Sequence, residues 1–309
     1  MNPSAAIDLG SHTARLLIAR RSPTSSWGWL PIERRRAYVR LAADEGGGKN
    51  SDTGPRTTAR IVDVLSDFAR RIAHYHVKEV RGVATGIIRE PMYGEGLLSR
   101  LYQATGIRIE LISGEREARL SGLGARRVLC IQGDALVFDL GGSTTEFLQE
   151  QQGKQGVWSI PLGAAVLTRR FIHSDPPRLH ELKAVSQEVQ ERLRPVRQEI
   201  SGIPLAVGTG GTVVTLAAMV HGISWEDISP ERLNGLRLSL SQMEACLSQM
   251  KMLTSAERSV RLGLDPGRAD VIVAGALAVV EIMRFLESPD LTVGMSDLLE
   301  GLLIESLSD

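Results

Sequence analysis

Two short segments set an aspartate, a leucine and a glycine ahead of hydroxyl residues: Asp8-Leu9-Gly10-Ser11-His12-Thr13 and Asp139-Leu140-Gly141-Gly142-Ser143-Thr144. Each aspartate closes an apolar run, so its carboxylate is expected at the carboxyl end of a buried strand, where open α/β sheets place their ligands. The glycines let backbone N–H groups approach an anion closely, and Ser11, Thr13, Ser143, Thr144 and Thr145 add hydroxyl donors. At a constant offset of 131 positions Asp8 falls on Asp139, Leu9 on Leu140, Gly10 on Gly141, Thr13 on Thr144 and Leu17 on Leu148. The pattern reads as two copies of one strand–turn–strand unit. A third turn, Gly208-Thr209-Gly210-Gly211-Thr212, again joins an apolar strand to a helix. One such turn is as often a plain tight turn as a phosphate cradle; two matched copies and a third favour cradles.

Two carboxylates close to phosphate oxygens repel by a few kcal/mol unless a cation stands between them. Mg²⁺ is the usual hard ion held by one or two carboxylates together with phosphate and water. Asp8 and Asp139 are therefore the expected metal ligands. Glu146, seven residues after Asp139, either joins them or is a solvated strand residue. The acidic segment Ile112-Ser113-Gly114-Glu115-Arg116-Glu117-Ala118 follows a strand and opens a helix, whose N–H groups suit an anion. Glu115 or Glu117 there either complements the helix dipole or serves as a general base toward water. Arg89, after another buried strand, is placed to clamp a phosphate.

The 309 residues carry 36 basic and 36 acidic side chains, so bulk charge gives no purchase on nucleic acid or on an anionic membrane. Only five of the bases are lysine, and the 31 arginines suit bidentate recognition of phosphate or follow from codon bias. Apolar runs fall short of the ~20 residues that span a bilayer, and the amino-terminal segment lacks the features of a signal peptide. A soluble, cytoplasmic protein is expected, with neither nucleic acid nor membrane as partner. Cys130 and Cys246 follow no metal-ligand spacing and sit in apolar contexts that imply burial. No Gly-x-x-x-x-Gly-Lys loop and no Gly-x-Ser-x-Gly elbow occurs, which disfavours P-loop and serine-hydrolase chemistry.

Alternating elements must hold these residues. Residues 5–10 and 16–19 read as a hairpin, and 42–54 as a polar, Gly-rich stretch. Pro55 opens a helix with Ile61, Leu65, Phe68 and Ile72 on one face. Strand 80–84, helix 95–105 and strand 107–112 imply a parallel pair joined by a crossover. The pattern restarts with strand 135–141 and its return from Glu146. Strand 205–207, helices 212–220, 239–252 and 268–285, strand 291–293 and helix 297–308 follow. The whole is an α/β fold of two lobes with a cleft between them.

Taken together, the segments 6–15, 83–90, 112–119, 137–147, 161–170, 207–218, 268–276 and 296–302 resemble the exopolyphosphatase/guanosine pentaphosphatase (Ppx/GppA) family of the actin-like superfamily. Ile-Ser-Gly-Glu-x-Glu-Ala-Arg paired with the second Asp-Leu-Gly-Gly loop is the specific signature. The resemblance implies two actin-like (ribonuclease H-like) lobes, 1–124 completed by helix 297–309, and 125–296, in the short two-domain form. It implies Glu117 as the catalytic glutamate and Asp8, Asp139 and Glu146 as the metal-holding acids. Ser11, Arg89, Gly141, Gly142, Ser143, Thr144, Gly210, Gly211 and Thr212 would line the phosphate channel. The implied reaction is Mg²⁺-dependent hydrolysis of the terminal phosphoanhydride of inorganic polyphosphate or of the 5′ γ-phosphate of pppGpp. The alternatives are a phosphotransferase of the same superfamily, or a weakly catalytic protein that binds polyphosphate or guanosine penta- or tetraphosphate; a homodimer is left open. His12 stands where the family usually has Asn, Ser143 where it has a third glycine, and Arg116 where Glu is frequent.

Overall fold

The computed structural model describes residues 2–41, 55–89, 94–197, 199–200, 202 and 205–307. The Gly-rich stretch 42–54 and Glu90 lie outside the described residues. The chain divides into two compact units, Met1–Cys130 with Leu298–Asp309, and Ile131–Asp297.

In the first unit β1 (Ser4–Leu9) and β2 (Thr13–Arg21) form the expected hairpin, and β3 (Trp29–Tyr38) pairs antiparallel with β2. Helix α1 (Pro55–His74) leads to β4 (Glu79–Ala84), which runs parallel to β1. Helix α2 (Gly94–Thr105), the short strand β5 (Glu110–Leu111) and α3 (Gly114–Val128) complete the run. The sheet order is β3-β2-β1-β4-β5. The strand expected over 107–112 shrinks to two residues, because only Glu110 and Leu111 find partners, Val83 and Ala84, on β4. The core under one sheet face comes from Ile7, Leu9, Leu16 and Ile18 against Ile61, Leu65 and Phe68 of α1.

The second unit repeats this plan. Strands β6 (Ala135–Leu140), β7 (Thr145–Gln151) and β8 (Lys154–Ile160) are antiparallel neighbours. Helices α4 (Ala164–Phe171) and α5 (Leu179–Arg197) precede β9 (Ala206–Thr209), which is parallel to β6 and leads into α6 (Gly211–Val220). After α7 (Pro230–Leu233) come β10 (Arg237–Ser239), α8 (Leu240–Met250), α9 (Ser255–Arg261), α10 (Ile272–Phe285) and β11 (Asp290–Val293). Read from β8, the order is β8-β7-β6-β9-β11, with β10 added at the edge. Every residue of α10 from Ile272 to Met283 is buried, as its all-round apolar sequence requires. It begins at Ile272 rather than 268, because Arg268 and Ala269 are held in a turn on the carbonyl of Asp265.

The closing helix α11 (Leu298–Glu305) belongs to the first unit. Trp29 Nε1 donates to the Leu303 carbonyl at 2.9 Å, and Arg34 pairs with the buried Glu300 at 2.6 Å. Gly301 lies against the backbone carbonyl of Leu120 on α3, closer than any Cβ could approach. Cys246 is buried, but Cys130 is exposed. The burial expected from its apolar neighbours fails because α3 ends at Leu129, and Cys130 sits in the turn beyond it at φ +53°.

Candidate active site

In the first unit the β1–β2 loop is closed by Gly10 N–H donating to the Thr13 carbonyl at 3.0 Å. The chain leaving β3 grips the loop from behind. Leu41 N–H donates to the Ser11 carbonyl, and Val39 and Arg40 N–H to that of His12. Asp8 is buried, and its register partner across the hairpin is Arg15. Arg15 Nε and Nη2 lie 2.9 and 2.8 Å from Asp8 Oδ2, and Thr85 Oγ1 donates to Oδ1 at 3.3 Å. The countercharge for Asp8 is thus a guanidinium of its own sheet.

Ser113 caps α3, accepting from Arg116 N–H at 3.2 Å, so Glu115 and Glu117 both fall in the first helical turn. Glu115 is exposed and Glu117 is 7% exposed, which settles which of the two is set into the unit. Arg89 ends a 3-10 turn after β4 and donates from Nη1 to Glu117 Oε2 at 2.7 Å and to the Ile112 carbonyl at 3.4 Å. Burial pushes the Glu117 carboxyl up to about 7, with the charge of Arg89 pulling it back and that of Asp8 adding to the rise. Such a group exchanges a proton at neutral pH, as a general base must. Arg116, where the resembled family often has Glu, turns to Glu110 at 2.8 Å and Glu305 at 3.4 Å.

In the second unit Gly141 N–H donates to the Thr144 carbonyl at 2.9 Å, the same closure. Here the chain leaving β8 does the gripping. Ala164 N–H donates to the Gly141 carbonyl, and Ala165 and Val166 N–H to that of Gly142. A Cβ on Gly163 would collide with the Gly142–Ser143 peptide, so glycine permits this approach. With the Gly141 and Gly142 carbonyls held at the rear, the Gly142 and Ser143 N–H groups have no backbone acceptor among the described residues, and Ser143 Oγ is buried with no hydrogen-bond partner among them. These three donors make a cradle for an anion. Asp139 stands opposite Glu146 in the β6–β7 register, and Glu146 Oε1 accepts from Ser159 Oγ at 2.8 Å.

The third turn abuts the same aspartate. Gly210, at φ +91°, is the residue before α6, and a Cβ there would come within 2.8 Å of Asp139 Oδ1. Gly211 also makes room for a side chain from elsewhere in the unit. The guanidinium of Arg268 occupies the space a side chain would fill. Arg268 is the residue that motif reading passed over. Its segment was noted, but no spacing ties position 268 to a turn 57 positions earlier in the chain. Thr212 is buried and nests against Gly275 of α10.

Each unit therefore gathers its own set: Asp8, Ser11, Arg89 and Glu117 with Arg15 and Thr85 in the first; Asp139, Gly141, Gly142, Ser143, Thr144, Glu146, Gly210, Gly211 and Thr212 with Arg268 in the second. Asp139 and Glu146 are paired oxygen donors of the kind a hard divalent ion takes, beside an anion cradle, and so fit Mg²⁺. Among the described residues no group of three or more His, Cys, Asp or Glu converges, so phosphate or water oxygens would complete the shell.

Known proteins resemble this chain in sequence and in fold. A Mycobacterium tuberculosis protein named exopolyphosphatase 2 is 32% identical over 97% of both chains. A Vibrio parahaemolyticus protein named guanosine-5'-triphosphate,3'-diphosphate pyrophosphatase is 26% identical over 99% of this chain and 59% of its own length. The crystal structure of the Aquifex aeolicus Ppx/GppA family member superposes with a TM-score of 0.82 at 28% identity, covering 99% of this chain and 98% of its own. The two units thus form the α/β, actin-like fold of these proteins. With the Ppx/GppA phosphatase family matched over residues 17–309, the chain belongs to that family.

Proposed function

We propose that the protein releases the terminal phosphate of inorganic polyphosphate, the 5′ γ-phosphate of pppGpp, or both, with a divalent cation such as Mg²⁺. The names of its relatives support the substrate class. The observation that carries the chemistry is Glu117, a buried carboxyl pushed up to about 7 and held by Arg89.

In this reading water attacks the terminal phosphorus, its proton passes to Glu117, and the bond to the bridging oxygen of the leaving chain breaks. The Gly142 and Ser143 N–H groups and Ser143 Oγ hold phosphate oxygens in fixed orientation, which lowers the barrier because the donors need no rearrangement. Asp139 and Glu146 would hold the cation, which supplies positive charge to the oxygens of the transferred phosphate. Arg89, hydrogen-bonded to Glu117, would keep that carboxylate oriented as it takes the proton.

Replacement E117Q preserves shape and removes the proton acceptor. Phosphate release from polyphosphate and from pppGpp should fall by roughly 10²–10⁴-fold, the usual worth of a general base, while polyphosphate binding measured by calorimetry persists. Turnover equal to that of the parent protein would remove Glu117 from the reaction.

A further inference from the structure

Arg40 combines an uncommon backbone conformation with a guanidinium beside the Gly10–Thr13 loop. Its φ of +45° lies in the left-handed region, which costs a side chain with a Cβ on the order of 1 kcal/mol or more. Contacts of its backbone and of its side chain hold it there. Its N–H donates to the His12 carbonyl at 3.1 Å, its carbonyl accepts from Arg60 Nη2 at 3.4 Å, and its guanidinium carbon lies 5.8 Å from the centre of the Tyr38 ring. Arg36 approaches that ring at 5.3 Å, and the His12 imidazole meets it edge-on at 5.4 Å. Tyr38 is the register partner of Thr13, so the ring stands beside the Gly10–Thr13 loop.

Glycine or asparagine would take this backbone at less cost, yet the position carries a guanidinium. A strained residue kept in place by several contacts is a mark of function. Stacking on Tyr38 also restrains a long side chain before any ligand arrives, so less entropy is lost on binding. A guanidinium fork matches phosphate oxygens, and two of them share one ring. Because Tyr38 already supports cations, a phosphate suits the cluster better than a nucleobase does.

We propose that Arg40, with Arg36 beside it, is a substrate-positioning residue that holds a phosphate of the chain beyond the one being cleaved. The proposal rests on the polyanion reading of the loops. Replacement R40G relieves the backbone strain and deletes the guanidinium together. With long-chain polyphosphate, KM should rise about tenfold while kcat stays within about twofold. The unfolding midpoint should hold or rise, and R40K should recover part of the affinity. An unchanged KM, or a fall in kcat together with a lowered midpoint, would show Arg40 to be structural and overturn the proposal. Should the parent protein release no phosphate from any substrate, the functional reading fails by itself. Calorimetric binding of long-chain polyphosphate to the parent and to R40G then still decides Arg40, weaker binding by R40G supporting it and equal binding refuting it.

Discussion

The β1–β2 and β6–β7 hairpins are built on one plan and differ in the charge set across from the aspartate. Both loops close by a glycine N–H on a threonine carbonyl, at 3.0 and 2.9 Å. Both are gripped from behind by the chain leaving the third strand, and both sit in sheets whose first five strands share one order. The register places Arg15 across from Asp8, and Glu146 across from Asp139. At the same offset of 131 positions, one duplicate supplies a guanidinium and the other a second carboxylate. In the first hairpin Asp8 is paired with Arg15, and its charge acts on Glu117 through space. The second concentrates negative charge that a cation would relieve. Under the proposed function the duplicates divide the work: one tunes the base Glu117, and the other is suited to metal and phosphate.

The largest effect that tests this division is expected from E146Q, which keeps the hydrogen-bonding shape but removes the second carboxylate. Phosphate release should fall on the order of 10³-fold, and the rise in unfolding midpoint that Mg²⁺ gives the parent protein should shrink. A Mg²⁺ response as large as the parent's would place the cation elsewhere. The next effect comes from Arg89. Its positive charge pulls the Glu117 carboxyl down, so removing it in R89Q leaves only the Thr85 hydrogen bond to oppose burial and raises the carboxyl further. The acid limb of kcat/KM, expected near pH 7 for the parent, should then move to higher pH, with activity at pH 7 falling roughly tenfold. A limb that stays or moves down would mean that another group controls it.

How far these features were legible differs between the hairpins and their surroundings. The Asp-Leu-Gly segments, the capped helix at Ser113 and the third glycine turn are local patterns, and the structure places each where the spacing predicts. Strand β3 escaped notice because Pro31 and the run Arg34-Arg35-Arg36 hide its alternation. In the fold Arg34 is matched by Glu300, far along the chain, and Arg35 by Glu33, two residues away. Helix α5 did carry a readable stripe, Val185, Val189, Leu193 and Val196, but no chemical motif drew attention to it. Within the site, the residue pattern left Glu115 and Glu117 open until the resemblance pointed to Glu117, and burial agrees; the partner of Asp8 depended on strand register, and the position of Arg268 on a close approach to Gly211. Such facts arise from tertiary packing, which local spacing does not encode.

The smallest expected effect sharpens the comparison most, because it asks what Asp8 does. The sequence suggests that Asp8 shares a cation with Asp139, whereas the geometry gives Asp8 to Arg15 and Thr85. Replacement D8N separates the two. Ionised Asp8 repels the carboxylate form of Glu117 and raises its protonation midpoint. Asparagine removes that repulsion and leaves the charge of Arg15 without its counterion, so both changes favour ionised Glu117. Its midpoint must fall, and the acid limb of kcat/KM must move to lower pH, opposite in sign to R89Q. A weaker base also accepts the proton less readily, so the plateau above the limb should drop by a few-fold. The Mg²⁺ concentration for half-maximal rate should stay at the parent's value. If D8N instead weakens the Mg²⁺ response and leaves the limb in place, Asp8 is a metal ligand, and the two hairpins share one task rather than dividing it.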